Sequence, residues 1–255
     1  MRTYPSDRWV RAFVGDTMIV DSSDPLLFWE ADSSIPGYAF PPESVRREFL
    51  SETSGPAERD GFEFFRSKGE VSRWFDIVVG ERSIPHAAWV LTGLDDRIVL
   101  SWKPGTVDRW CEEDVQVFGH PRDPFHRVDA LHSTRHVTVS TNGILLADTR
   151  NPVVLFETDL PTRYYFAAED VNIDVLLPVA VMSVCPYKGT ADQYWDVAGE
   201  VDLTAAVWSY SNPFAAVEDI RNRISFYNEL VDFTVDGNAI ERPVSPFSNK
   251  EQRSA

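Results

Sequence analysis

The chain of 255 residues is 43% hydrophobic and 25% charged, a balance that supports a packed core and excludes disorder along its whole length. Its 24 basic side chains face 40 acidic ones, and the formal charge of −16 repels phosphate backbones, so nucleic acid is not an expected partner. Cys111 and Cys185 are the only cysteines, which leaves no disulfide framework and no Cys-x-x-Cys metal pair.

The polar start from Met1 to Asp7 lacks the apolar centre of a signal peptide, and no apolar run nears the roughly 20 residues that span a bilayer. A cytoplasmic protein with no membrane partner is therefore expected. Along the chain the predicted elements are short strands. Gly15-Asp16 sits between apolar runs and predicts a hairpin turn. Residues 51–66 are polar and turn-rich and read as a surface loop, whereas Ile77-Val78-Val79 reads as a strand. Asn142-Gly143 is the strongest kind of short hairpin signal. Asn151-Pro152 marks another turn before the run Val153-Val154-Leu155-Phe156, and Ala205-Ala206-Val207-Trp208 reads as a further strand. A helix is predicted after Asn212-Pro213, where Phe214, Val217, Ile220 and Ile224 recur three and four apart. The expected fold class is mainly β, with a minor α+β character from one short helix or helical turn per copy.

The chain is written twice. Asp21, Pro25 and Glu30 recur 127 positions later as Asp148, Pro152 and Glu157. Tyr38-Ala39-Phe40 answers to Tyr164-Tyr165-Phe166 at an offset of 126, and Lys68-Gly69 to Lys188-Gly189 at 120. Trp74-Phe75-Asp76 answers to Tyr194-Trp195-Asp196, and Trp89 to Trp208. The drifting offset places the extra residues of the first copy mostly in 51–66. The expected organisation is a first, diverged repeat over 1–120, a turn-rich linker over 121–135, a second repeat over 136–240 and a flexible tail over 241–255. Such a tandem makes a pseudo-two-fold, intrachain pseudo-dimer that can itself be monomeric.

The second copy carries Ala147-Asp148-Thr149, Leu155-Phe156-Glu157, Arg163-Tyr164-Tyr165-Phe166, Cys185-Pro186-Tyr187-Lys188-Gly189-Thr190-Ala191 and Trp208-Ser209-Tyr210. With Phe226-Tyr227-Asn228 and Val235-Asp236-Gly237, these runs resemble the domain of unknown function 427 family. The resemblance covers about 137–237 closely, and the first copy keeps the Asp-turn-Pro hairpin, the Lys-Gly and the Trp. Glu112-Glu113-Asp114 and the stretch from His120 to Pro124 resemble the two-copy bacterial branch of that family. The resemblance implies a β-tent fold, similar to methionine sulfoxide reductase B and small zinc-binding chaperones but without their zinc cysteines. A nucleotidyltransferase label is sometimes attached to the family. The chain has no Gly-x-x-x-x-Gly-Lys loop, and the adjacent Asp95 and Asp96 would point to opposite faces of a strand.

Lys68 and Lys188 are two of only four lysines, yet they occupy the same place in both copies. A lysine between aromatic walls can lose solvent and have its pKa lowered, which makes it a nucleophile, or it can anchor an anion. Alternatively its stem merely covers a neighbouring tryptophan. Cys185 stands three residues before Lys188 and is a second catalytic candidate, against the reading of a small buried hydrophobe; its first-copy counterpart is Phe65. No histidine follows His136, so a Ser-His-Asp or Cys-His site cannot be built from the second copy alone. Acid–base work there falls to Asp148, Glu157, Asp196, Tyr164, Tyr165 or Lys188. His120, His126, His132 and His136 lack metal-ligand spacing, so no metal and no cofactor are expected. The expected site is a small-molecule pocket in the second copy, with Lys188 as anchor, Trp195 and Trp208 as walls and Tyr164 and Tyr165 as further contacts. Lys68 is the equivalent ligand contact of a degenerate or regulatory first copy. The alternatives are a non-catalytic protein-interaction module and a nucleotidyltransferase-like enzyme.

Overall fold

The structure, a computed structural model, describes residues 1–31, 33–56, 67–200 and 203–248. The chain divides into two compact units, Met1–Asp123 and Pro124–Ala255. The first unit is built from β1 (Arg2–Pro5), β2 (Val10–Val14), β3 (Thr17–Ser22), β4 (Leu26–Trp29), β5 (Gly37–Phe40), β6 (Leu50–Thr53), β7 (Val71–Val79), β8 (Arg82–Leu91), β9 (Ile98–Leu100), β10 (Arg109–Glu112) and β11 (Val115–Val117). The second follows with β12 (Val128–His132), β13 (Val137–Thr141), β14 (Ile144–Thr149), β15 (Val153–Glu157), β16 (Arg163–Phe166) and β17 (Leu176–Val179). It continues through β18 (Ser183–Cys185), β19 (Gly189–Ala191), β20 (Gln193–Val197), β21 (Val207–Ser209), β22 (Ile224–Phe226), β23 (Asp232–Val235) and β24 (Asn238–Ile240).

Each unit has a seven-stranded and a four-stranded antiparallel sheet. The larger sheets run β1-β4-β5-β9-β8-β7-β6 and β12-β15-β16-β22-β21-β20-β17, which is one topology written twice. The smaller sheets run β11-β10-β2-β3 and β14-β13-β23-β24, again equivalent strand for strand. The duplication extends to irregularities. The β2–β3 hairpin shifts register between Ala12 and Phe13, and the β13–β14 hairpin between Val139 and Ser140, 127 residues on. A β-bulge of this kind re-aims the strand and is a built feature of a fold rather than a defect. An isolated bridge joins Val20 to Val45 in one unit and Ala147 to Val171 in the other. The fold is thus mainly β and repeated, as the sequence predicts.

Alternation explains the cores. In β2, Val10, Ala12 and Val14 point inward, and in β13, Val137, Val139 and Thr141 do so in the same register. These residues meet the inward faces of the larger sheets, including Tyr38 and Phe40 in one unit and Tyr164 and Phe166 in the other. The opposite face of each larger sheet carries a second apolar cluster, around Trp89 in the first unit and Tyr165 and Trp208 in the second.

Four expectations change in detail. The first part of the predicted loop 51–66 belongs to β6, which pairs with β7 and corresponds to β17; residues 57–66 lie outside the described residues. The predicted linker contains β12, an edge strand paired with β15. In the tail, Phe247 packs 5.7 Å from Tyr227, so residues 245–248 are docked, while 249–255 lie outside the described residues. The predicted helix is a short 3-10 segment, Ala215–Ile220, broken by the non-helical Val217 (φ −131°, ψ 31°). Its buried Val217 and Ile220 are three apart, the repeat of a 3-10 turn, and Ile224 opens β22 instead of continuing a helix.

Candidate functional site

The tight turn between β18 and β19 carries the predicted pair Cys185 and Lys188 on the second unit. Gly189 closes that turn at φ +100°, where a side chain would be strained, and the Phe214 N–H donates to the Lys188 carbonyl at 3.0 Å. This fixes Lys188 over the outer face of the larger sheet. Its ammonium pairs with the Glu157 carboxylate from the end of β15, and the two side chains are only 12% and 4% exposed. The other Glu157 oxygen lies 3.2 Å from His126 Nε2, and the His126 ring stacks on Tyr187 at 4.0 Å.

Burial alone would raise the pKa of Glu157, but the His126 hydrogen bond and the Lys188 charge outweigh it and bring the value down to about 2. Burial would likewise lower Lys188, yet the charges of Cys185 and Glu157 beside it move its pKa upward. The pKa of Lys188 thus moves opposite to the lowering that a nucleophilic lysine requires, and its ammonium stays paired with Glu157. Around it stands a buried phenol cluster. Burial pushes Tyr165 up to about 12, and Tyr194, Tyr210 and Tyr227 upward as well. The Trp208 Nε1–H donates to the Tyr165 hydroxyl at 3.3 Å, and Tyr194 and Ser183 hydroxyls meet at 2.6 Å.

Lys188, Tyr165 and Trp208 therefore converge. Tyr164 and Trp195 do not join them: they lie on the inner face, Tyr164 with its ring 5.4 Å from Phe233 and Trp195 packed against the same core. The reason is the period of two, which sends neighbours in a strand to opposite faces. Asp196 and Asp148 are also occupied. The Ala205 N–H donates to Asp196 at 2.7 Å, as His86 N–H donates to Asp76 at 2.8 Å in the first unit, and both donor residues have positive φ. Asp148 holds His136 Nε2 at 2.7 Å, while its counterpart Asp21 accepts the Trp9 indole N–H at 2.6 Å.

Sequence reasoning missed Arg163. Its guanidinium is 7% exposed and grips Glu229 with two bonds of 2.6 and 2.8 Å, with Asn228 as a further partner. It also lies over the rings of Trp208, Tyr227 and Phe247 at 5.6, 5.3 and 5.6 Å. The signal available was one arginine opening an otherwise aromatic strand.

The equivalent corner of the first unit is more open. The Glu30 carboxylate accepts the backbone N–H groups of Lys68 and Gly69, the latter at 2.7 Å, and the Lys68 residue is exposed. Strand register places Gly37 where the second unit has Arg163, and Ala39 where it has Tyr165. A cleft of about 60 Å³ lies here, lined by Phe28, Glu30, Ser33, Gly37, Lys68, Trp89, Trp102 and His120 among others. Trp89 is 5% exposed and Trp102 half-buried, stacked on Trp110 at 4.2 Å. Both indole N–H groups are buried without a hydrogen-bond partner among the described residues. For Trp89 the cause is visible: its counterpart Trp208 donates to the Tyr165 hydroxyl, and Ala39 has no hydroxyl to offer. The predicted Phe65 lies outside the described residues.

Among the described residues no group of three or more His, Cys, Asp or Glu side chains is placed to hold a metal, and no helix is long and apolar enough to cross a membrane. The two units define a tandem-repeat antiparallel β protein whose copies share a Lys-Gly turn set against a glutamate. The family model for a domain of unknown function, DUF427, matches residues 2–93 and 129–237, and the chain belongs to that family in two copies. No curated protein matches the chain.

Proposed function

We propose that the protein binds a small molecule in an aromatic-lined pocket edged by a lysine, and that the pocket is the first-unit cleft. The observation that supports this reading is the cleft itself, walled by Phe28, Trp89 and Trp102 with Lys68 at its edge. Apolar walls with a few converging polar groups are the usual composition of a ligand site. In the second unit the Lys188 ammonium pairs with Glu157, and Arg163 and Tyr165 stand where the first unit has glycine and alanine.

Size limits the ligand. One water needs about 10–15 Å³ of such space, so the cleft of about 60 Å³ seats a head group of a few heavy atoms. The test is thermal unfolding of the full chain against a fragment set of at most about ten heavy atoms. A ligand at a hundred times its Kd stabilises its unit by about 2.7 kcal/mol. The expected result is a concentration-dependent rise in Tm that weakens in Lys68→Ala, each rise being read against the Tm of the same protein without ligand. No fragment response, or one indifferent to Lys68→Ala and to Trp102→Phe alike, overturns the proposal.

A further inference from the structure

We infer that the second unit carries a socket for the aromatic side chain of a peptide, and that the chain's own C-terminal turn occupies it as a removable plug. This socket stands apart from the first-unit cleft, and either can fail without the other. Beneath the turn lies Arg163, whose guanidinium meets three rings. Trp208 at 5.6 Å and Tyr227 at 5.3 Å belong to the body of the unit, whereas Phe247 at 5.6 Å belongs to the turn. The Phe247 ring also lies 5.7 Å from that of Tyr227. The Ser245 hydroxyl donates to Glu229, the buried carboxylate that grips Arg163. A ring set against a cation and a second ring, beside a hydroxyl directed to a buried carboxylate, is how an anchor residue fills a recognition pocket.

The turn is built to leave as a unit. The Ser248 N–H donates to the Ser245 carbonyl at 3.0 Å, the Ser245 N–H to the Ser248 hydroxyl at 3.1 Å, and the Phe247 N–H to the Ser245 hydroxyl at 3.1 Å. Among the described residues no backbone hydrogen bond ties 245–248 to a strand, so release breaks none of the sheet ladder. The arm before it is exposed, Val244 by 95%. A segment held by so few buried groups opens locally without unfolding the rest. The other repeat shows the same corner without a plug. Strand register matches Arg163 to Gly37 and Trp208 to Trp89. Asn228, a partner of Arg163, follows β22 as Trp102 follows β9. Gly37, Trp89 and Trp102 all line the first-unit cleft, so one corner of the fold stands open in one copy and is stoppered by a phenylalanine in the other.

The experiment titrates full-length wild type and full-length Phe247→Ala with the peptide acetyl-Val-Ser-Pro-Phe-Ser-amide, with the same peptide carrying alanine for phenylalanine, and with benzyl alcohol. Nitrogen-labelled NMR follows the Trp208 indole N–H signal, assigned by its disappearance in Trp208→Phe. Phe247→Ala vacates the socket, whereas in wild type only the opened fraction can bind. The phenylalanine peptide is therefore expected to bind Phe247→Ala at least about tenfold more tightly than wild type. The alanine peptide and benzyl alcohol are expected to bind the variant at least about tenfold more weakly than the phenylalanine peptide. Equal affinity of that peptide for the two proteins overturns the plug. No binding to the folded variant, or an alanine peptide that binds as well, overturns the socket, and benzyl alcohol binding as tightly as the peptide overturns its assignment to a peptide. Hydrogen exchange of wild type gives a test that needs no variant. The Phe247 amide should exchange at least about tenfold faster than the Tyr227 amide, which donates to the Ala206 carbonyl at 3.1 Å. Equal exchange of the two amides means that the turn opens only with the whole unit, and overturns the plug.

Discussion

Replacing Lys188 with alanine leaves the Glu157 carboxylate, 4% exposed, with no ammonium beside it. Removing one partner of a buried pair costs about 3–5 kcal/mol, because the remaining charge is stranded away from water. The pKa of Glu157 gives an independent magnitude. Folding takes it from 4.5 to about 2, and at about 1.4 kcal/mol per pH unit its surroundings favour the charged form by about 3 kcal/mol. His126 supplies part of that, so Lys188→Ala should cost about 3 kcal/mol, the lower end of the range. Urea unfolding reads it directly. Lys188→Met combined with Glu157→Gln should recover much of the loss, since a neutral buried pair has no stranded charge. The pH dependence has a definite sign. A carboxylate with a depressed folded pKa contributes fully above 4.5 and loses its contribution as pH falls toward about 2. The stability difference between wild type and Glu157→Gln should therefore be flat above pH 4.5 and shrink below it. A cost under about 1 kcal/mol for Lys188→Ala, the size of a surface pair, would refute the reasoning.

Arg163→Ala should destabilise the second unit by about 3–5 kcal/mol, since it strands Glu229 and uncovers three aromatic rings. Arg163→Lys should recover only a minor part, because an ammonium cannot make the two-pronged contact; denaturant midpoints of the three proteins rank them. At the alkaline end, the raised pKa of buried Tyr165 means its contribution is intact below pH 10 and lost as pH climbs through about 12. Phenolate absorbance and circular dichroism should then change together in that interval for Tyr165 and its buried neighbours. Full phenol ionisation with the fold still intact would contradict their burial.

The sequence announces the duplication because the hairpins and the alternating core positions survive in both copies, down to the bulge after Ala12 and after Val139. What it hides has physical reasons. Residues Ser51 and Glu52 of β6 are exposed on an edge strand, so the segment has no apolar period to reveal it. The same holds for β12, where Asp129 and His132 break the pattern. Tyr164 and Tyr165 are both aromatic and both buried, so type alone does not tell which faces the core and which the outer cluster. The upward direction of the Lys188 pKa comes from Cys185, three residues away, and from Glu157, 31 residues away in the chain and invisible to any local reading. The cleft is hidden for another reason: its lining joins residues as far apart in the chain as Phe28, Gly37, Trp89 and His120.

One backbone thus supports opposite solutions at one corner. In the second unit that corner is filled by ions and phenols that satisfy each other: Lys188 with Glu157 and His126, Arg163 with Glu229, Trp208 with Tyr165. Buried pairs of this kind add little net stability over apolar packing of the same volume, so their presence does not by itself explain why the corner is polar. In the first unit the substitutions to glycine and alanine take away the partners but retain the tryptophan, at the expense of an unpaired N–H. A corner under selection for stability alone would lose that N–H readily, since phenylalanine fills much of the same space without a donor. Of the two unpartnered indole donors only Trp89 has a tryptophan counterpart, Trp208, and its N–H beside the cleft favours the proposed ligand site on the repeat whose sequence looks the more eroded.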